Sequence, residues 1–137
     1  MGMDAGTGGA ILMDDQELVD LAIEARKRAY CPYSRFPVGA ALLCADGTVV
    51  TGVNVENAVN GLSLCAERVA LFKAVSEGKR DFVKIAVACG GDHCRPCGAC
   101  RQVLFEHAPD IEILMGNPKG EFVRTTIRAL LPEPFSL

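Results

Sequence analysis

The second half of the sequence constrains the fold more strongly than the first. Phe82–Cys89 is a nearly continuous apolar run, which is typical of a strand covered on both faces. A helix over Gly98–His107 and a strand over Ile111–Met115 follow, and two strands joined through a helix run parallel. The tight turn at 117–120 then returns the chain antiparallel through Phe122–Thr126. This stretch therefore predicts a mixed sheet with helices on its faces.

The first half of the sequence adds two helices and an antiparallel hairpin. An apolar stripe at helical spacing, capped by Asp14 or Asp15, predicts a helix that continues to about Tyr30. The strands of the hairpin are predicted over 38–44 and 48–53, on either side of an Ala-Asp-Gly turn. The second helix is predicted from Cys65 to Glu77, and the glycine that follows suits a helix C-terminus.

One domain accounts for the whole chain. Its length is 137 residues, of which 50% are hydrophobic, and this is enough to bury a core. The predicted fold class is α/β: a single three-layer α/β/α domain with a mixed five-stranded sheet. We assign it to residues 14–137, after a flexible N-terminal tail at residues 1–13.

Charge and the N-terminal residues exclude several classes of partner. The net charge is -3 and the chain has no run of Lys or Arg, so nothing indicates binding to nucleic acid or to anionic lipid. The first ten residues contain neither a basic residue nor a long apolar run, as a secretory signal or a transmembrane helix would require. We therefore expect a cytoplasmic protein without nucleic-acid or membrane partners.

The seven cysteines divide into two groups. In a reducing compartment thiols stay free unless a metal or catalysis uses them. Three cysteines lie singly among apolar residues and are interpreted as small buried side chains: Cys31, Cys44 and Cys89. The other four are candidates for chemistry: Cys65, Cys94, Cys97 and Cys100.

Three of the candidate cysteines are predicted at helix N-termini. Cys97 and Cys100 stand at the start of one helix and Cys65 at the start of another. Free backbone N–H groups and the positive end of the helix dipole favour thiolates there. Three thiolates form a ligand set for Zn²⁺. The Cys-x-x-Cys spacing alone is a weak signal, because redox dithiols and structural zinc sites share it, and Cys94 as a fourth ligand would close the site.

Glu67 and Arg68 favour a catalytic site over a structural one. They stand at the head of a very apolar helix, where charge is costly without a purpose. A zinc ion with three protein ligands keeps a fourth position for water and lowers the pKa of that water to about 7. Glu67 would then move the proton of this water. The alternative is that both residues belong to an ordinary solvated first turn.

The residues around the cysteines resemble a known family. Cys65-Ala66-Glu67-Arg68 and Pro96-Cys97-Gly98-Ala99-Cys100-Arg101-Gln102-Val103 are similar to the signature of the small-subunit zinc-dependent cytidine deaminases. The segments at 33–41, 54–57 and 130–135 resemble the same family. The likeness therefore extends over nearly all of the chain after the tail.

The resemblance implies a zinc site and a proton carrier. Cys65, Cys97 and Cys100 would bind one Zn²⁺ per chain, and Glu67 would act as general acid and base. Arg68 would hydrogen-bond the ligand thiolates, restoring part of the Lewis acidity that anionic ligands take from the zinc.

The resemblance also implies a nucleoside site. Asn54 and Glu56 would bind the ribose hydroxyls, Phe36 would contact the pyrimidine, and the backbone N–H of Ala66 would donate to the base carbonyl. Phe135 would reach into the site of a neighbouring subunit, because this branch of the family forms homotetramers.

The function implied is that of a hydrolase of pyrimidine salvage, which deaminates cytidine or deoxycytidine to uridine or deoxyuridine and releases ammonia. Asn60 departs from the family pattern, since an aromatic residue often stands five residues before the first zinc cysteine. Three alternatives remain open at this point: a deaminase of another aminopyrimidine nucleoside such as a blasticidin-type antibiotic, a structural zinc-binding module, and a dithiol redox protein.

Overall fold

The computed structural model describes residues 13–137, so the tail predicted at residues 1–13 lies, apart from Met13, outside the described residues. The helices and strands are, in chain order, α1 (Asp15–Ala25), β1 (Gly39–Cys44), β2 (Val49–Val53), α2 (Ala66–Ser76), β3 (Phe82–Ala88), α3 (Gly98–His107), β4 (Glu112–Gly116), β5 (Phe122–Thr126) and α4 (Ile127–Leu130). Single 3-10 turns lie at Arg26–Arg28 and Asn60–Leu62. Every predicted helix and strand is present, and the 3-10 turns and α4 were not predicted.

The five strands form one mixed sheet in the order β2-β1-β3-β4-β5. β1 pairs antiparallel with β2 and with β3, β3 pairs parallel with β4, and β4 pairs antiparallel with β5. The parallel pair joined through α3 and the antiparallel edge strand β5 are therefore confirmed.

The two faces of the sheet carry different helices. Side chains alternate along a strand, so Ala41 and Leu43 of β1 pack with α1, whereas Ala40 and Leu42 pack in a second cluster with α2 and α3. The three-layer α/β/α architecture is confirmed. Its consequence for the site is that α2 and α3 lie on the same face.

The start of α1 is fixed by a capping box. The side chain of Asp14 accepts a hydrogen bond from the Glu17 backbone N–H at 2.8 Å, and Glu17 accepts one in return from the Asp14 backbone N–H at 3.1 Å. The pair satisfies two N–H groups that have no partner within the helix. Asp14, and not Asp15, is therefore the cap.

The predicted end of α1 at about Tyr30 is wrong. The helix ends at Ala25, and after one 3-10 turn the chain is extended. The Tyr30 backbone N–H donates to the Asn54 carbonyl at 3.0 Å, and its carbonyl accepts from Glu56 at 2.9 Å. Because this pairing needs an extended chain, a contact between residues distant in sequence overrides the local helical pattern.

No helix among residues 13–137 combines the length and the apolar character needed to cross a membrane.

The contact between α2 and β2 depends on Gly52. A Cβ atom at this position would lie 2.5 Å from the Ala70 backbone nitrogen and 2.6 Å from the Ala66 carbonyl oxygen. Real Cβ atoms do not approach backbone atoms so closely, so any larger residue would push α2 away from the sheet. Close approach of α2 to β2 thus sets where the first turn of α2 lies.

We expect Gly52→Ala to lower the free energy of unfolding by about 1–3 kcal/mol, the usual cost of overpacking a filled interior. Urea denaturation followed by circular dichroism measures this. Gly91→Ala is the matched control, since a Cβ atom at exposed Gly91 meets no atom within 4 Å. Equal stability of the two variants would contradict the packing argument.

Candidate active site

The N-termini of α2 and α3 each begin at a cysteine. Cys65 precedes α2 and Cys97 precedes α3, and both have the extended backbone of an N-cap residue. Neither side chain forms a capping hydrogen bond with its own helix. Both sulfurs are therefore available for other partners, at positions where the helix dipoles favour negative charge.

Three sulfurs come together at this point. The Sγ atoms of Cys65, Cys97 and Cys100 lie within 4.8 Å of one another, and the first two are 3.8 Å apart. Zn–S bonds of about 2.3 Å at tetrahedral angles place two sulfurs about 3.8 Å apart. The donor set therefore fits Zn²⁺ and leaves one position of the tetrahedron for a further ligand.

Arg68 lies against this group. Its Nη2 donates to Cys65 Sγ at 3.3 Å, and hydrogen bonds from the Cys100 thiol and from Arg68 lower the pKa of Cys65 to about 5. The thiolate is therefore the form of Cys65 present at neutral pH. The Nε of Arg68 is buried and has no hydrogen-bond partner among the described residues.

Glu67 is buried beside the sulfurs. Only 4% of its surface is exposed, so the interpretation of this residue as part of a solvated first turn is wrong. Burial raises the pKa of Glu67 to about 7, and the neighbouring Cys65 thiolate acts in the same direction. A carboxyl group with a pKa near neutrality can both accept and release a proton at the pH of a cell.

Cys94 lies outside the group of three sulfurs. Its side chain is buried, and its backbone N–H donates to the Gly116 carbonyl at 3.1 Å. Burial, and then the adjacent Cys89, raise the pKa of Cys94 and keep it a neutral thiol. The described residues thus offer three converging thiols, not the four of a closed structural site.

A cavity of about 420 Å³ opens over the sulfurs and has the size of a small-ligand site. It is lined by most of the residues that the sequence singles out: Phe36, Asn54, Glu56, Cys65, Ala66, Glu67, Arg68 and Cys97. Asn60 also lies in its wall. The fully buried Cys100 is absent from this lining, although its sulfur belongs to the group of three.

The backbone N–H of Ala66 lies in the first turn of α2, where N–H groups have no partner within the helix. Ala66 also lines the cavity. Its N–H group can therefore donate to a carbonyl oxygen of a ligand bound there.

Phe135 is not brought into the cavity of its own chain. Its side chain is 69% exposed and is absent from the residues that line this cavity. Gln102 of α3 holds its backbone from both sides, accepting from the Phe135 N–H at 3.0 Å and donating to the Phe135 carbonyl at 2.9 Å. Sequence reasoning gave Gln102 no role, because its bonds to Phe135 become visible only when α3 and the C-terminal segment are seen in contact.

Ser34 is a second residue that sequence reasoning missed. It lines the cavity, and its hydroxyl donates to the carboxylate of Glu56. Its place in the motif Tyr33-Ser34-Arg35-Phe36 was the available signal.

Known proteins are similar to this chain over most of its length. The family described as the cytidine and deoxycytidylate deaminase zinc-binding region matches residues 12–115. A cytidine deaminase of Halalkalibacterium halodurans is 54% identical over 126 residues, which cover 90% of this chain and 96% of that protein. The crystal structure of cytidine deaminase from Burkholderia pseudomallei is similar with a TM-score of 0.87 at 46% identity, covering 90% of this chain and 100% of that one.

A blasticidin-S deaminase of Bacillus cereus is more distant. It is 33% identical over 132 residues, which cover 89% of this chain and 92% of that protein. At nearly equal coverage, the chain is therefore more similar in sequence to this cytidine deaminase than to the blasticidin-S deaminase.

We expect the purified chain to contain about one zinc per chain, and Cys97→Ala to lose nearly all of it together with thermal stability, because metal binding to thiolates is coupled to folding. Atomic emission spectroscopy and a melting curve on the same sample measure both quantities. Cys94→Ala is the matched control and should keep its zinc. Loss of zinc from Cys94→Ala alone would instead indicate a site in which Cys94 is a ligand.

Proposed function

This chain belongs to the family of zinc-binding cytidine and deoxycytidylate deaminases, and we propose that its cavity hydrolyses cytidine and deoxycytidine to uridine and deoxyuridine with release of ammonia. The chain is accordingly a hydrolytic deaminase, with zinc as its cofactor. The observation that carries the proposal is the buried carboxyl group of Glu67 beside three converging thiols in the wall of a cavity. Neither a structural zinc module nor a dithiol redox protein uses such a group.

Cys65, Cys97 and Cys100 hold the zinc in this proposal. When bound, zinc would supply a Lewis acid that acidifies a water molecule. Arg68 donates to Cys65 Sγ and fixes the orientation of that ligand. Its positive charge offsets part of the negative charge of the thiolates.

Glu67 carries the protons of the reaction. It accepts a proton from the attacking water and delivers it to N3 of the pyrimidine, which makes C4 electrophilic. After water has added to C4, Glu67 takes the remaining proton of that oxygen and transfers it to the amino group, and the C4–N4 bond breaks to release ammonia. Water and cytidine are consumed, ammonia and uridine are formed, and Glu67 returns to its starting state.

Side chains and backbone groups around the cavity bind the nucleoside in this proposal. Phe36 contacts the pyrimidine ring, and the Ala66 N–H donates to the base carbonyl. Asn54 and Glu56 bind the ribose hydroxyls. Their position in the wall of the same cavity as Glu67 supports these roles.

The identity of the nucleoside follows from the pattern of similarity. The relative at 54% identity is a cytidine deaminase, whereas the blasticidin-S deaminase is 33% identical. Asn60 lines the cavity where an aromatic residue is common in the family, and it adds a polar group that a ribose also tolerates. We therefore favour cytidine and deoxycytidine over a modified antibiotic.

We further propose that four copies of the chain assemble and complete each other's sites. Phe135 is exposed and lies outside its own cavity, while its backbone forms two hydrogen bonds with Gln102, and this supports a role in a neighbouring subunit. Exposed apolar side chains on the loop beside the cavity, Val59 and Leu62, would be covered by the same assembly.

The cellular setting is also part of the proposal. We place the enzyme in the cytoplasm, because a reducing compartment keeps ligand thiols free of disulfides, and in pyrimidine salvage, because its substrates are free nucleosides. A catalytic domain at residues 14–137 remains the proposed organisation, since its first helix begins with the capping box at Asp14.

We expect Glu67→Gln to retain zinc and its melting temperature but to lose about 10²- to 10⁴-fold in kcat/KM for cytidine, the usual contribution of a general acid–base group. An ultraviolet assay on cytidine, with zinc analysis of the same sample, measures this. The control is Glu106→Gln, a like substitution on the exposed side of α3. Turnover near that of the control would exclude Glu67 as the proton carrier, and loss of zinc would make it a structural residue.

We expect Phe135→Ala to raise KM for cytidine about tenfold, the size of one lost aromatic contact. Mixing it with Glu67→Gln chains should restore activity, because a mixed assembly contains sites with an intact Glu67 and a Phe135 donated by the other chain. Light scattering gives the assembly size and the ultraviolet assay gives the activity. A fully active monomer, or mixtures that recover nothing, would contradict the proposed assembly.

A further inference from the structure

The hydroxyl of Ser34 joins two parts of the cavity wall. It donates to Oε2 of Glu56 and accepts from the backbone N–H of Phe36 at 3.0 Å. The other carboxylate oxygen, Oε1, accepts from the backbone N–H groups of Ser34 at 3.0 Å and Tyr33 at 3.1 Å. One side chain thus connects the Glu56 carboxylate to the backbone of the aromatic residue.

The turn that contains Ser34 needs such support. Arg35, the next residue, is the one non-glycine residue with a positive φ among residues 13–137, at 56°. This left-handed conformation is uncommon for residues other than glycine, and it persists only where surrounding contacts fix it. The Arg35 N–H donates to the Cys31 carbonyl at 2.9 Å. The residue before it is held by the bond from the Ser34 N–H to Glu56, and the residue after it by the bond from the Phe36 N–H to the Ser34 hydroxyl.

We propose that Ser34 is a positioning residue, which fixes the Glu56 carboxylate against the backbone of Phe36 so that both are oriented before the nucleoside binds. The inference rests on the proposed function, because the roles of Glu56 toward the sugar and of Phe36 toward the base come from there. Ser34 itself has no role in the proton transfers assigned to Glu67.

The hydrogen-bond capacity of Glu56 supports this role. An ionised carboxylate offers about four accepting positions. Three of them are taken by Ser34 and Tyr33, which leaves one for a sugar hydroxyl. The bond from the Ser34 hydroxyl, followed by that from its backbone, lowers the pKa of Glu56, so the carboxylate stays an acceptor at neutral pH. Removing the hydroxyl would free Oε2 and let the carboxylate rotate.

Phe36 is held from its other side by Asn54. The Asn54 amide donates to the Phe36 carbonyl and accepts from the Val38 N–H, each at 2.9 Å. These bonds do not involve Ser34, and they attach the segment that precedes β1 to the residue that follows β2. Loss of the Ser34 hydroxyl should therefore loosen the site without unfolding the domain.

The test compares Ser34→Ala with Ser34→Thr, which keeps the hydroxyl. We expect Ser34→Ala to raise KM for cytidine about tenfold, as loss of a hydrogen bond to a charged group does, with kcat within about twofold of the parent. Ser34→Thr should restore KM, and zinc content and melting temperature should not change in either. Ser76→Ala, at the end of α2 and outside the cavity wall, is the matched control.

A second measurement tests whether Ser34 acts through Glu56. In a Glu56→Ala background, removal of the Ser34 hydroxyl should raise KM by a smaller factor than in the parent enzyme, because one of its two partners is gone. Equal factors in the two backgrounds would overturn the inference. Should Ser34→Ala fail to fold, Ser34→Cys keeps the volume with a much weaker hydrogen bond and should still raise KM.

The outcomes separate this inference from the function on which it rests. A parent enzyme that deaminates cytidine, together with a Ser34→Ala variant that matches Ser76→Ala in KM, removes the inference alone. A fall in kcat at unchanged KM also overturns it, since Ser34 would then act in the chemical step. A parent protein without activity on cytidine removes the proposed function and this inference together.

Discussion

The rest of the structure depends on the convergence of two helix N-termini on one face of the sheet. Cys65 and Cys97 are the N-cap residues of α2 and α3, and both helices pack in one core cluster on the same face of the sheet, with the two sulfurs 3.8 Å apart. Thiolates at such distances repel one another, so the arrangement requires compensation from the helix dipoles, from Arg68 and from a cation. The metal is therefore part of what stabilises this end of the domain, in addition to its chemistry.

The sheet also determines what surrounds the metal. β1 and β2 are packed so closely under α2 that Gly52 cannot carry a side chain, and this brings the start of α2 to the ends of the strands. The segment that precedes β1 (31–38) and the segment that follows β2 (54–57) both contribute residues to the wall of the cavity. Catalytic groups thus come from helix starts, whose backbone is rigid. Ligand-binding groups come from loops, and these loops must be held in place by hydrogen bonds between side chains and backbone.

Sequence reasoning succeeded where local pattern and tertiary structure agree. The bounds of α3 and β5 match because apolar spacing and turn residues define both ends. It extended α1 too far, because pairing of Tyr30 with Asn54 and Glu56 is a contact between residues distant in the chain. The same holds in the site: cysteines at helix starts are visible in the sequence, whereas the motif around Ser34 does not show that its hydroxyl bonds to Glu56, 22 positions away.

Two carboxyl groups in one cavity acquire different tasks from their surroundings. Glu67 is buried beside thiols, so the desolvation of its charged form raises its pKa to about 7, and it can exchange protons at neutral pH. Glu56 is only partly buried and accepts hydrogen bonds from Ser34 and Tyr33, which favour the charged form and lower its pKa. Glu56, as a fixed acceptor, must stay ionised, whereas Glu67, as a proton carrier, must change its charge. If the two glutamates exchanged surroundings, neither could perform its task, although both would still be glutamates.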